Sequence, residues 1–193
     1  MPRSPEFDPD IVLDQAVALF WERGYEATSV ADLVEHLGIS KASLYNSFGS
    51  KHQLYLRALD RYIVKEDPFP MSLLTRQGKA LPLVRGLIER FADHASWQVL
   101  RHGCFLVNAA VERLPGDKEV QRRVEMAWNG LEAALALCLH RAQVEGELSP
   151  RKDPFTLASF FLVFLVGLQV MAKVGAPATR YHGAAREALS LLR

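Results

Sequence analysis

The sequence has few of the residues that would mark a secreted or uniformly basic protein. Its 193 residues contain two cysteines, Cys104 and Cys138, which are too few for a disulfide framework and lack metal-site spacing. Lys and Arg number 23 against 22 for Asp and Glu, which excludes a polycationic nucleic-acid binder but not locally concentrated positive charge. The low cysteine content predicts a reducing, cytoplasmic compartment.

Long apolar runs are also missing. The most apolar stretch, 157–172, contains Ser159 and Gln169 and is shorter than the roughly 20 apolar residues that a bilayer requires. Residues 1–10 carry acidic side chains and no apolar core follows them, so we expect no signal peptide. Stretch 157–172 is therefore interpreted as a buried helix of a soluble protein without membrane contact.

The motifs of common catalytic and metal sites are absent too. There is no Gly-x-x-x-x-Gly-Lys-Ser/Thr, Gly-x-Ser-x-Gly or His-Glu-x-x-His. Neither Glu89 nor Glu112 has a histidine three residues later, as a di-iron helical bundle requires. His94, His102 and His140 lack ligand spacing. We therefore expect no enzyme, no metal and no cofactor.

Helical periodicity recurs along the whole chain, with capping residues between its segments. A polar N-cap precedes each of the first four predicted helices, and glycine follows each of the first three. The N-caps are Asp8, Ser29, Ser40 and Ser50, and the glycines are Gly24, Gly38 and Gly49. Further helices are expected near 82–98, 102–114, 117–146, 154–174 and 182–193.

These elements predict an all-α fold in three parts. A three-helix head occupies residues 1–49, with a short Gly-containing turn between its second and third helices, as in a helix-turn-helix. A connecting helix follows at 50–66 and ends at Asp67-Pro68-Phe69-Pro70. Residues 67–193 form a larger helical bundle.

The third helix of the head has the side chains of a DNA-reading helix. At 100° per residue, Leu44 and Phe48 face inward, whereas Ala42, Tyr45 and Asn46 face outward. Small and hydrogen-bonding side chains allow close approach to base edges. No acidic residue lies between Glu35 and Asp60, although that segment contains basic residues, so this edge of the head is locally positive. Those basic residues are Lys41, Lys51 and Arg57.

Two runs of sequence resemble the DNA-binding head of TetR-family transcriptional regulators. They are GYEATSV at 24–30 and GISKASLYNSFGSK at 38–51, and the resemblance extends over about residues 10–60. The rest of the chain is similar only in general outline. The segment GCFLVN at 103–108 also resembles one branch of the family.

The resemblance implies a role for individual residues of the head. Lys41 and Ala42 match positions that meet base edges, and Tyr45 matches a tyrosine that contacts phosphate and sometimes a thymine methyl. Asn46 stands where the family often has an aromatic residue or histidine, which leaves the base preference open. The phosphate-contacting positions are matched by Thr28 or Ser29, Ser40, Ser43 and Lys51.

Stretch 157–172 is apolar on every face, so all of its sides must be covered. A second copy of the chain is one cover, in agreement with the family's two-fold dimers, and burial within one subunit is the alternative. The predicted dimer interface consists of Phe161, Leu165, Leu168, Ala185, Leu189 and Leu192. A two-fold dimer also predicts a palindromic DNA site.

In the family, the C-terminal bundle often binds a small effector. The candidate pocket residues are Phe91, Trp97, Phe105, Trp128 and Phe161, with Phe160 and Phe164 nearby, although aromatic residues at this spacing also build cores. The predicted protein is a homodimeric repressor that binds a palindromic DNA operator through helix 41–48 and leaves it when a small effector binds. The alternatives are an effector-independent architectural DNA-binding protein, a helical interaction module, and a repressor that senses electrophiles or oxidants through Cys104.

Overall fold

The computed structural model describes residues 7–65, 69–96 and 102–193, and within these ranges all regular structure is α-helical, as predicted. The helices are α1 (Pro9–Arg23), α2 (Val30–Leu37), α3 (Lys41–Phe48), α4 (Lys51–Lys65), α5 (Phe69–Leu74), α6 (Ala80–Ser96), α7 (Phe105–Arg113), α8 (Lys118–Val144), α9 (Pro154–Ala172) and α10 (Ala178–Ser190).

The predicted caps define the helices of the head. The Ser29 Oγ accepts a hydrogen bond from the Asp32 backbone N at 3.1 Å, and an Asp32 carboxylate oxygen accepts from the Ser29 backbone N at 2.7 Å. This reciprocal pair is the expected capping box of α2. Ser40 caps α3 by accepting from the Ser43 backbone N at 3.0 Å.

Several helix boundaries differ from the prediction, and one helix was not predicted. Helix α5 lies in the segment after Pro68, where the prolines predict a break between domains. Helix α6 begins at Ala80 rather than Pro82, because proline in the first turn of a helix needs no backbone N–H donor. Helix α10 begins at Ala178, and its N-cap Pro177 makes no side-chain hydrogen bond that would have signalled the start.

The chain forms two compact units whose boundary differs from the predicted one. The head unit comprises Met1–Asp67 together with Asn108–Val124, and the C-terminal unit comprises Pro68–Val107 and Glu125–Arg193. The predicted division assigns all of 67–193 to the C-terminal part. The difference arises because charged side chains at the end of α7 and the start of α8 bond to the head.

The head unit has a closed apolar core to which all four N-terminal helices contribute. Leu44 and Phe48 of α3 are buried, as the helical spacing predicts. The three neighbouring helices contribute further buried residues, which include Val12, Ala16, Leu19, Phe20, Leu33, Leu37, Leu54, Tyr55 and Leu59. Burial of Leu44 and Phe48 fixes which face of α3 remains available to solvent.

The core of the C-terminal unit lies among α6, α8, α9 and α10. Its buried members include Leu87, Ile88, Leu135, Leu139, Phe161, Leu165, Tyr181 and Ala185. The Tyr181 hydroxyl donates to the Met171 carbonyl oxygen at 2.9 Å and ties α10 to the end of α9. Among the described residues, α9 is long and apolar enough to cross a membrane by length and composition, but one of its faces lies in this core.

The structure corrects the predicted dimer interface. Five of its six residues are buried inside a single chain, with exposed fractions of 0–5 %, and Leu189 is half-buried. They lie on the sides of α9 and α10 that pack against the core, so a second copy cannot cover them. The buried five are Phe161, Leu165, Leu168, Ala185 and Leu192. The exposed apolar face of α9 consists instead of Phe160, Val163, Gly167, Val170 and Met171, and Val174 is exposed in the turn that follows the helix.

Asp14 links α1 to α4 and makes the stability of the head depend on pH. Hydrogen bonds from Arg61 and Lys65 lower the pKa of Asp14 to about 2. Because this value lies below the ordinary one, the stabilisation is complete above about pH 5 and is lost as the pH falls from about 4 to about 2. Two fifths of the side chain is exposed, so screening reduces the effect.

We therefore expect Asp14→Asn to lower the free energy of unfolding by about 1 kcal/mol at pH 7. The difference from the parent should shrink as the pH falls from 4 towards 2. Urea unfolding at a series of pH values measures it, and Glu22→Gln, an exposed position on the same helix, is the control. A difference between parent and Asp14→Asn that stays constant down to pH 2 would contradict this account.

Candidate nucleic-acid interface

The outward face of α3 presents the four side chains that the sequence predicts to meet bases or phosphates. Lys41, Ala42, Tyr45 and Asn46 are all exposed, and 40 % of Tyr45 is accessible. Ala42 carries only a methyl group, so no long side chain projects from the centre of this face. Lys41 and Asn46 supply hydrogen-bond donors beside it. A helix of this shape fits the major groove of B-form DNA, where base edges are distinguishable.

Ser29 and Ser40 are the N-caps of α2 and α3, where backbone N–H groups are available to bind a phosphate. The Ser40 Oγ lies 2.9 Å from the Ser43 Oγ, so both hydroxyls already belong to the cap of α3. The first turn of α3 has no acidic residue, whereas Asp32 occupies the first turn of α2. Because the N-terminus of a helix favours anions, a phosphate is better accommodated at Ser40 than at Ser29.

The structure does not support a phosphate contact by Thr28. Its side chain is fully buried, and its Oγ1 donates to the Gly24 carbonyl oxygen at 2.6 Å. This bond closes the turn between α1 and α2 from within, so the Thr28 hydroxyl is not available to a phosphate. Ser29, the alternative at this site, is exposed.

Lys51 lies in the first turn of α4 and is half-buried. Its Nζ is 4.1 Å from the centroid of the Tyr25 ring, a cation–π distance. Burial lowers the pKa of Lys51, and the nearby Glu26 carboxylate opposes this shift. The contact with the Tyr25 ring therefore restricts the position of the Lys51 ammonium group.

A cluster of charged residues beside Tyr25 was not predicted from the sequence. The Glu112 carboxylate accepts hydrogen bonds from the backbone of the turn 24–26, and Arg113 stacks on the Tyr25 ring at 4.2 Å. The Asp117 carboxylate lies 2.8 Å from the His52 Nε2. The only signal in the sequence is a group of charges around Pro115-Gly116, which is typical of any exposed turn.

Burial works to raise the pKa of Asp117, but hydrogen bonds from the Val120 backbone N, His52 and Arg113 outweigh it and lower that pKa. Asp117 therefore remains a carboxylate at neutral pH and can bond His52 and Arg113 at once. Together with Glu112 and Arg113 it joins the start of α8 and the end of α7 to the head.

The predicted effector residues lie in the C-terminal unit, mostly in its interior. Phe91, Phe105 and Phe161 are buried, Trp128 is half-buried, and Trp97 lies outside the described residues. One surface pocket of about 500 Å³ is lined by Asn129, Glu132, Ala133, Ala136, Leu137, His140, Phe155 and Ser159. A second, of about 250 Å³, is lined by Phe164, Gly167, Leu168, Met171, Arg180, Tyr181 and Ala184. Of the predicted residues that the structure describes, none lines either pocket.

Both cysteines are buried. The Cys138 Sγ donates to the Ala80 carbonyl oxygen at 3.5 Å, and burial raises its pKa, which keeps this thiol protonated and unreactive. Cys104 is 5 % exposed at the start of α7. No group of three or more His, Cys, Asp or Glu side chains in the described part of the chain is placed to hold a metal ion.

Comparison with known proteins agrees with this geometry. The family described as "Bacterial regulatory proteins, tetR family" matches residues 12–58, which include α2, α3 and most of α1 and α4. The family described as "Tetracyclin repressor-like, C-terminal domain" matches residues 80–188. The two matches together cover α2, α3 and most of the remaining chain.

Similar proteins are transcriptional regulators rather than enzymes. The chain is 33 % identical over 193 residues to the uncharacterised regulator YezE of Bacillus subtilis (strain 168), covering all of both chains. It is 33 % identical over 177 residues to the repressor ComR of Escherichia coli (strain K12), covering 90 % of this chain and 83 % of that one.

A solved structure shares the fold over the full length. It is a cysteine mutant of the TetR-family regulator CifR in complex with 26-base-pair operator DNA, 29 % identical, with a TM-score of 0.85 and complete coverage of both chains. The exposed outward face of α3, the two family matches and the full-length similarity agree. The chain belongs to the TetR family of DNA-binding transcriptional regulators.

Proposed function

We propose that the protein is a cytoplasmic, homodimeric repressor that binds a palindromic operator through α3 and is released by a small effector. The observation that carries the proposal is the outward face of α3, where Lys41, Ala42, Tyr45 and Asn46 are exposed in a segment free of acidic residues. The similar protein ComR is named a repressor, and CifR was solved on operator DNA.

The exposed face of α9 supports the dimer. Val163 and Val170 are 72 % and 46 % exposed, and both follow the helical spacing of the other apolar residues on this face. A Cβ added to Gly167 would meet no atom within 4 Å, so a second helix has room to approach closely there. A second copy of the chain covers such a stripe and places two α3 helices on the two halves of a palindrome.

The release step is supported by the pockets of the C-terminal unit. The pocket of about 500 Å³ combines the polar side chains of Asn129, Glu132 and His140 with the apolar side chains of Leu137 and Phe155. A volume of this order accommodates a small organic molecule. A molecule that binds one arrangement of the unit better than another would shift the fraction of protein able to bind DNA.

Selection from a random double-stranded DNA library tests the proposed function. We expect the purified protein to enrich sequences with two inverted half-sites whose centres lie about one helical turn apart. A cross-check is competition by unrelated DNA at several salt concentrations, which separates sequence-specific from purely electrostatic binding. Enrichment of no sequence, or of single unpaired half-sites, would contradict the palindromic model.

Lys51→Ala should weaken binding of every enriched sequence by a similar factor. If the lysine contacts one phosphate in each subunit, the slope of log affinity against log salt should flatten by about one unit per contact. Fluorescence anisotropy at four salt concentrations measures both quantities. Lys79→Ala, which removes an exposed lysine from the C-terminal unit, is the matched control. An unchanged slope for Lys51→Ala would remove Lys51 from the DNA-contact surface.

A further inference from the structure

We infer that Glu112 and Arg113, at the C-terminal end of α7, are positioning residues for DNA binding. They hold the turn 24–26, and through the Tyr25 ring they place the Lys51 side chain. The inference rests on the proposed function, in which Lys51 contacts a phosphate. It extends that function because residues distant from α3 in the sequence would control a DNA contact.

Glu112 occupies an anion site made of backbone amides. Its Oε2 accepts from the Tyr25 backbone N at 2.9 Å, and its Oε1 accepts from the Glu26 backbone N at 2.8 Å. Two successive N–H groups that point the same way form a small nest for negative charge. The Glu112 carboxylate is therefore the group that fixes the turn between α1 and α2 from outside.

Gly24 shows that this contact is built into the turn. Its φ of +85° and ψ of 174° fall in a region that is essentially restricted to glycine. A Cβ added there would lie 2.9 Å from the Glu112 Oε1, closer than real Cβ atoms approach a neighbour. The absence of a side chain at Gly24 thus serves both the backbone conformation and the close approach of the carboxylate.

Arg113 secures the same turn from a second direction. Its guanidinium forms an ion pair with Glu26 and lies 4.2 Å from the centroid of the Tyr25 ring. It also bonds Asp117 at 3.1 Å, and Asp117 bonds His52 on α4. Only 20 % of the Arg113 side chain is exposed, so these contacts are partly shielded from solvent. Charge-assisted hydrogen bonds are stronger in such a shielded site.

Tyr25 connects this cluster to the DNA-facing side of the head. The Lys51 Nζ lies 4.1 Å from the same ring that Arg113 covers, so movement of the ring moves the favoured position of the ammonium group. Glu112 and Arg113 belong to the same compact unit as Tyr25 and Lys51. A change in the contacts of Glu112 and Arg113 would therefore reach Lys51 through the Tyr25 ring.

A double-mutant cycle tests the inference. We expect Glu112→Ala to lower affinity for the selected DNA about 10-fold in the parent, although removal of a negative charge by itself favours DNA binding. In the Lys51→Ala background the same substitution should change affinity less than 2-fold, because the contact that Glu112 places is already gone. Glu89→Ala, an exposed glutamate on α6, controls for the charge.

A second readout separates positioning from general loss of structure. Amide hydrogen exchange at Tyr25 and Glu26 should accelerate at least 10-fold in Glu112→Ala, while exchange in the core of α1 and α4 stays as in the parent. Equal losses of affinity in both backgrounds, or unchanged exchange at the two amides, would overturn the inference alone. A parent protein that selects no DNA would overturn the proposed function and the inference with it.

Discussion

A glutamate in place of Val163 is expected to convert the protein to a monomer and to lower operator affinity at least 100-fold. Val163 is 72 % exposed in the single chain, so the charge does not disturb folding of the protomer. In the proposed dimer the same charge is buried without a partner, at a cost of several kcal/mol. A monomer then makes only half of the contacts with a palindrome and loses the benefit of linked binding.

Light scattering coupled to size exclusion decides the first part of this prediction. The parent should elute at twice 21.6 kDa and the Val163→Glu variant at 21.6 kDa, with equal circular dichroism. Val64→Glu, at a 75 % exposed position on α4, is the matched control and should leave the oligomeric state unchanged. A parent that is monomeric at micromolar concentration would refute the dimer, and a dimeric Val163→Glu would place the interface elsewhere.

Gly24→Ala is expected to destabilise the protein by about 2–4 kcal/mol. An alanine at a φ of +85° and a ψ of 174° is strained by about 1–3 kcal/mol. Its Cβ would also push the Glu112 carboxylate away from the amides of Tyr25 and Glu26, whose hydrogen bonds to a charged group contribute about 1.5–3 kcal/mol each at most.

Gly38→Ala provides the comparison that isolates the second contribution. Gly38 also has a positive φ, +64°, but a Cβ added there meets no atom within 4 Å. This variant should lose only about 1 kcal/mol, the ordinary cost of a left-handed alanine. Urea unfolding measures both variants. Equal losses for Gly24→Ala and Gly38→Ala would show that the approach of Glu112 contributes nothing to stability.

The four N-terminal helices and the reading face of α3 were predictable because their signals are local. A serine cap, a capping-box aspartate or a terminal glycine acts within four residues, and the spacing of Leu44 and Phe48 defines the inward side of an eight-residue helix. The same spacing places Lys41, Tyr45 and Asn46 on the exposed side, so the sequence suffices to identify them.

The face of α9 that we propose to form the dimer could not be predicted in the same way. Helix α9 is apolar all round, so periodicity does not distinguish the side that packs on Tyr181 and Ala185 from the side that carries Val163. Which side is exposed depends on how α6 and α10 pack, and that is not a local property. Glu112 was missed for a similar reason, since its two partners precede it by 86 and 87 residues.

The division of the chain into units has a consequence for synthesis on the ribosome. The four N-terminal helices are complete after about a third of the chain, but Glu112, Arg113, Asp117 and Arg123, which bonds Asp60 at 2.8 Å, belong to the same unit. At about 5–20 residues per second, synthesis of the segment that supplies them is complete roughly 3–12 s after α4. During that interval the nascent N-terminal helices lack these ties, and a fragment truncated after α4 would lack them permanently.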